Sequence, residues 1–365
     1  MSEAKLLENC KVVRFPAPEG DPREIVMDYM LKMANVEWKV KEGFTTTWKT
    51  PGDFKVNLEY EADTVYRGIP YSRVNGSLAE FEEFWKDGIF EVNSPYYEEI
   101  VGVHCSSSIN RAYQQLIDLP FRGTLRPVSA RGTIFEFVNG LKRPTEFGDD
   151  YDSFDVWNAN SKNDVMEAFA NVHRGDVLYY KNKKRSGHTR LVSNDSIVVR
   201  DPETGLIDPE QSFVITTEQT NAWDKTRTDG VKTTWWIDHR YSFAILYEKA
   251  FMPITLTLYT SGEKLKDAYL IWNGKNTEEG LKENKLTGTF YSNFPITYSK
   301  ASVYDESGKC VTYGFIYALG GNYEVNMENA NGFDVKSLPS GKYTFELRAA
   351  IARGGETFEK FEFTK

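Results

Sequence analysis

Cysteine and histidine are scarce in this chain: three cysteines (Cys10, Cys105, Cys310) and four histidines (His104, His173, His188, His239) occur in 365 residues. Three thiols cannot build a disulfide framework. Neither they nor the histidines show the C-x-x-C or H-E-x-x-H spacing of a metal site, so structural zinc is not expected and no cofactor is implied. Long apolar runs are missing too. The longest, such as Phe243-Ala244-Ile245-Leu246-Tyr247, fall far short of the roughly 20 residues that span a bilayer, and no integral membrane segment is expected. Positive charge is not in excess, because 44 basic side chains face 53 acidic ones for a net charge of −9. Unspecific binding to nucleic acid or to an anionic membrane needs a cationic field, and neither partner is expected. The start Met1-Ser2-Glu3-Ala4-Lys5 has no hydrophobic signal core, which leaves a cytoplasmic protein or a trimmed mature form.

What is present suits a folded, globular chain: 40% hydrophobic and 14% aromatic residues can fill a core, and the length suggests about two domains. Asp21-Pro22-Arg23-Glu24 reads as a helix start, followed by a helical apolar face at Ile25, Val26, Tyr29, Met30 and Met33. Ser77-Leu78-Ala79-Glu80 repeats the capping pattern, and a third helix follows Cys105, with Ile109, Ala112, Tyr113 and Leu116 on one face. From Asp176 onward short strands alternate with turns, beginning with Val177 to Tyr180, His188 to Ser193 and Ser212 to Thr217. Helices first and a sheet afterwards predict an α+β domain over residues 1–250. Beyond a boundary near Ala250 to Pro253, about eight short strands predict an all-β, Ig-like sandwich over residues 251–365 as an accessory domain with its own surface ligand.

Cys105 stands at the predicted start of an amphipathic helix, in Val103-His104-Cys105-Ser106-Ser107-Ser108. Unpaired backbone N–H groups and the partial positive charge of a helix N-terminus favour a thiolate there. Downstream, Gly175-Asp176-Val177-Leu178-Tyr179-Tyr180 and Gly187-His188-Thr189-Arg190 form a predicted hairpin with His188 at the start of its second strand. A thiol on a helix and an imidazole on a following sheet are the parts of a nucleophile and its base, provided that the fold brings them together. Cys10 and Cys310 lack such placement and are read as structural, as are His173 and His239.

The ordered blocks Gly68-Ile69-Pro70-Tyr71, Cys105-Ser106, Gly175-Asp176-Val177 and Gly187-His188 resemble those of the NlpC family of cell-wall cysteine peptidases, with features of the related CHAP-type amidases. The resemblance extends over about residues 20 to 250. It implies a papain-like helix-plus-antiparallel-sheet domain and hydrolysis of peptide or amide bonds in peptidoglycan stem peptides, in the cell envelope or outside the cell. It also implies roles: Cys105 as nucleophile, His188 as base, and Tyr71 as the phenol bordering the nucleophile. The third member is Glu218 or Gln219, with Glu218 preferred, since neighbours on a strand face opposite sides.

Two departures from the family pattern stand beside the nucleophile: His104 replaces the usual Asp, and Ser107 replaces a Gly. His104 is placed to tune the thiolate electrostatically, but adjacent residues seldom face one site, so it is not assigned a catalytic role. Long intervals between the blocks predict an inserted helix between Tyr71 and Cys105 and a second insertion over Leu119 to Asn163. Lys181, Lys183, Lys184 and Arg185 read as a charged hairpin tip, with attraction of a carboxylate-rich stem peptide as the sharper reading. The departures leave two alternatives open: a surface-binding or adhesion protein without turnover, and an acyltransferase that passes the acyl group to an amine.

Overall fold

The computed structural model describes residues 10–50, 57–74, 76–119, 134–144, 151–182 and 187–365, with the side chains of 317–321 excepted. Helix α1 (Pro22–Asn35) begins where the sequence places it. Asp21 is its extended N-cap and accepts from the Arg23 backbone N–H at 2.8 Å, Pro22 occupies the first turn, and Val26, Met27, Met30 and Met33 are buried. Helix α2 (Leu78–Glu82) is capped by Ser77 but runs for only five residues. Helix α3 (Cys105–Tyr113) buries every residue from Ser107 to Tyr113.

Before α3 the chain makes three small antiparallel pairs. Strand β2 (Glu37–Trp38) pairs with β5 (Tyr66–Arg67), β3 (Phe44–Thr46) with β4 (Leu58–Tyr60), and β6 (Trp85–Lys86) with β7 (Ile89–Phe90). Trp38, Tyr60, Tyr66 and Phe90 fill the space between them. The segment between Tyr71 and Cys105, where an inserted helix is predicted, therefore holds one short helix and a small strand pair.

Two six-stranded antiparallel sheets dominate the molecule. The first has the order β12-β11-β10-β9-β13-β8, with β8 Phe135–Phe137, β9 Val177–Lys181, β10 Gly187–Ile197, β11 Phe213–Gln219, β12 Trp235–Ser242 and β13 Met252–Leu256. The second joins β1 (Lys11–Phe15), β14 (Ala268–Asn273), β15 (Thr289–Tyr304), β17 (Lys342–Ile351) and β18 (Gly354–Thr364) in that order, while β16 (Cys310–Asn326) also pairs with β15. Among the described residues no helix is long and apolar enough to cross a membrane.

This architecture corrects the fold expectation. Among the described residues 38% are strand and 20% helical, with a nearly closed antiparallel sheet, and the fold is not a papain-like helix-plus-sheet domain. Nor is the C-terminal part an Ig-like pair of sheets. Strand β15 is 16 residues long and changes register between Tyr291 and Tyr298. Its first part pairs with β14 and its second with β17, so one continuous sheet replaces two. The arms of this sheet meet through Trp272, whose indole N–H donates to Glu359 at 2.9 Å. The compositional shift at Ala250 to Pro253 falls at the start of β13, a member of the first sheet, while the N-terminal β1 belongs to the second.

The Gly175-Asp176 pair anchors the first sheet. Asp176 is buried and accepts from Arg23 of α1 at 2.8 Å, from Thr255 of β13 at 2.6 Å and from the His173 backbone N–H at 2.8 Å. Tyr113 of α3 donates to the Gly175 carbonyl at 2.8 Å. Gly175 has φ +87° and a Cβ there would meet the Tyr259 hydroxyl at 2.9 Å, so both conformation and space call for glycine. One turn thus fixes α1, α3, β13 and the β9-β10 hairpin relative to one another.

Candidate active site

Three segments converge on Cys105. The first is the start of α3 itself. His104 is its extended N-cap, with its backbone N–H donating to Ser107 Oγ at 2.8 Å, and Cys105 opens the first helical turn. The side chain of Ser106 lies 3.3 Å from Nδ1 of His104. Because backbone conformation changes from extended to helical at this junction, adjacent side chains can converge, and His104 is near enough to the Cys105 thiol to lower its pKa.

The second segment is Gly68-Ile69-Pro70-Tyr71. Val103 donates to the Pro70 carbonyl at 3.0 Å and Ser72 to the Val103 carbonyl at 2.9 Å, forming a bridge that sets Tyr71 beside Val103, two residues from the thiol. A Cβ at Gly102 would meet the Pro70 oxygen at 2.1 Å, which shows how close the two backbones run. The Ile69 carbonyl accepts from Trp235 Nε1 at 2.9 Å and from Gln219 Nε2 at 3.1 Å, so this segment is tied to the sheet from below. Burial, and next the charge of a Cys105 thiolate, push the Tyr71 phenol up to about 12, which leaves it a donor at neutral pH.

The third segment is the sheet. His188 stands opposite Tyr180 in the β9-β10 hairpin. Its ring Nε2 hydrogen-bonds Glu218 Oε2 of β11, and the Cys105 thiol is near enough to the ring to raise its pKa. With Nε2 engaged by the carboxylate, Nδ1 is the nitrogen left for sulfur. Glu218 is 1% exposed, against 26% for His188, so the imidazole runs from a buried anion toward the surface. The β11-β12 register shifts between Thr216 and Glu218, a local irregularity of the kind that re-aims side chains. Glu218 faces His188 and Gln219 faces Ile69. Of the two, Glu218 is the one that meets His188.

Two residues that the sequence reading did not assign complete the arrangement. Arg190 Nε lies 3.1 Å from both Glu218 oxygens, and the Tyr241 hydroxyl donates to Oε1 at 2.5 Å. The Arg190 guanidinium sits between the rings of Tyr241 and Phe251, at 3.8 and 4.2 Å from their centroids. Strand alternation places Arg190 on the face of His188, two residues earlier, and is the one signal that pointed to it. Tyr241 lies near the end of β12, which runs from Trp235 to Ser242.

Electrostatics follow from this geometry. Burial opposes ionisation of the Cys105 thiol, but hydrogen bonds from His104 and His188 and their charges outweigh it and hold the thiol well below its usual range. Burial likewise disfavours the His188 imidazolium; its bonds to Cys105 and Glu218 overcome this and raise its pKa to about 9. For Glu218, burial pushes up, while His188, Arg190 and Tyr241 pull the carboxyl down to about 2. Both directions favour a thiolate–imidazolium pair. Iodoacetamide should therefore label Cys105 at a rate that levels off at a lower pH than that of an ordinary thiol, whose rate climbs about tenfold per unit up to about pH 8.5. Mass mapping of the three thiols over a pH series checks this, and a Cys105 rate that climbs like that of Cys310, whose thiol burial pushes up, would contradict it.

The other sequence candidates lie apart. His173 faces Asp195 at 3.3 Å and His239 faces Asp224 at 3.4 Å. The backbone N–H of Lys181 donates to Ser153 Oγ at 2.9 Å, while Lys183, Lys184 and Arg185 fall outside the described residues. Among the described residues no group of three or more His, Cys, Asp or Glu side chains is arranged to hold a metal ion. No protein-family model, curated protein or solved structure matches this chain.

Proposed function

We propose that this protein is a cysteine hydrolase of peptide or amide bonds. The observation that carries the reading is one imidazole hydrogen-bonded to a buried carboxylate, with a helix-terminal thiol near enough to perturb its titration. The Cys105 thiolate attacks the carbonyl carbon, and the oxyanion that forms is held by the Cys105 backbone N–H and the Tyr71 hydroxyl. His188 gives its proton to the departing amine, leaving a thioester on Cys105. The now neutral His188 takes a proton from water, whose hydroxide attacks the thioester. The carboxylic acid product leaves and gives its proton to solvent, and the thiolate–imidazolium pair is restored.

For substrate we propose the stem peptides of peptidoglycan, at the cell envelope, on the strength of the ordered sequence blocks. The test is incubation of purified stem peptides with the wild-type chain and with Cys105→Ala, followed by mass analysis for new amine and carboxylate ends. Release by the wild type alone is expected. Equal release from both proteins, or none from either, would remove this reading.

A further inference from the structure

Glu218 is held by more groups than orientation of His188 needs. Arg190 bridges both its oxygens at 3.1 Å, and Tyr241 adds a third donor at 2.5 Å to Oε1. Arg190 is itself 14% exposed and fixed between two aromatic rings, so its position is set by packing. A single hydrogen bond from His188 would already align the ring. The additional donors change the chemistry of the carboxylate instead. Each hydrogen bond or cation on a carboxylate withdraws charge from its lone pairs and weakens its hold on any other proton.

We propose that Arg190 and Tyr241 are positioning residues that share the charge of Glu218, so that the carboxylate aligns His188 without retaining the proton that His188 must deliver to the leaving amine. This rests on the hydrolase reading for its purpose but not for its measurement. An isolated buried Glu–His pair is a strong clamp: it stabilises imidazolium and makes it a poor acid toward a departing amine. General-acid catalysis is most efficient when the acid's affinity for its proton is matched to the task. Dividing the anion among three partners relaxes the clamp while leaving the geometry in place.

The charged and titratable groups around His188 are Cys105 and His104 at the start of α3, Glu218 on β11, Tyr241 on β12, Arg190 on its own strand and Tyr180 opposite it on β9. Removing Tyr241's hydroxyl or Arg190's charge acts on His188 in one direction. Either change concentrates negative charge on Glu218, which stays ionised, and Arg190→Gln also removes a nearby cation. Both raise the affinity of His188 for its proton.

The experiment is an NMR titration of the imidazoles in histidine-labelled protein, where four histidines make assignment by single His→Asn variants straightforward. Tyr241→Phe keeps the ring that supports Arg190, and Arg190→Lys keeps the charge that Arg190→Gln removes. The expected result is an about three- to tenfold shift of the His188 equilibrium toward imidazolium in Tyr241→Phe and Arg190→Gln, with Arg190→Lys restoring most of it. Unchanged or oppositely shifted titration in Tyr241→Phe, with the far-UV circular dichroism and melting profile of the wild type, overturns the proposal. Since no substrate enters the measurement, absence of stem-peptide cleavage would remove the hydrolase reading and leave this result standing on its own.

Discussion

Replacing His188 with Asn is expected to lower kcat/KM on a cleavable peptide by about 10⁴-fold or more, to the level of Cys105→Ala, with the double variant no slower than either single one. The two residues act as one unit. Without the imidazole the thiol loses a partner that keeps it ionised, and the leaving amine loses its proton donor; without the thiol there is no nucleophile for the imidazole to serve. Rates additive in free energy would show that the two side chains work separately and would sink the dyad.

Activity should follow a bell in pH. On the acid side it falls as Cys105 takes up a proton, well below the range of a free thiol. On the alkaline side it falls as His188 gives up its proton, near pH 9. Glu218→Gln removes the anion that raises His188, so the alkaline limb moves down in pH while the acid limb moves little. Upward movement of the alkaline limb in Glu218→Gln would contradict the assignment of Glu218 as the group behind the imidazole.

Asp176→Ala is expected to cost about 3–5 kcal/mol of folding stability, measured as a shift of the urea midpoint at constant slope. The carboxylate is buried and binds Arg23, Thr255 and the His173 N–H, so its loss leaves a half-buried guanidinium and two donors without their acceptor. Those donors lie on α1, on β13 and in the turn before β9, and the damage would spread to the placement of the β9-β10 hairpin that carries His188. Asp176→Asn retains part of the hydrogen bonding and should cost less. Loss of under about 1 kcal/mol in Asp176→Ala would show that Asp176 is not the anchor described.

Local features of the chain were legible. Capping at Asp21 and the apolar face behind it set α1, helix-terminal placement set Cys105 apart from Cys10 and Cys310, and a Gly-His strand start set His188 apart from the other histidines. Short strands from Val177 onward were expected, although beyond the boundary the chain forms long strands such as β15 (Thr289–Tyr304) and β16 (Cys310–Asn326). Alternation marks where a strand can be; it does not say which other strand completes its hydrogen bonds. For that reason the papain-like and Ig-like expectations failed together. Both depended on which strands pair, and the bend in β15 and the pairing of β1 with β14 join residues far apart in sequence.

Within the site, residue types and their order determined which side chains were capable of nucleophilic and acid–base chemistry, because thiol and imidazole are rare here and a helix N-terminus favours an anion. Only the tertiary structure decided between Glu218 and Gln219, since a register shift of β11 against β12 and a carbonyl at Ile69 settle which of two neighbours meets His188. Only the tertiary structure, too, brought His104 to the thiol and Arg190 and Tyr241 to the carboxylate. Ionisation in a buried site depends on partners supplied by separate strands, and a linear sequence carries no record of distances between them.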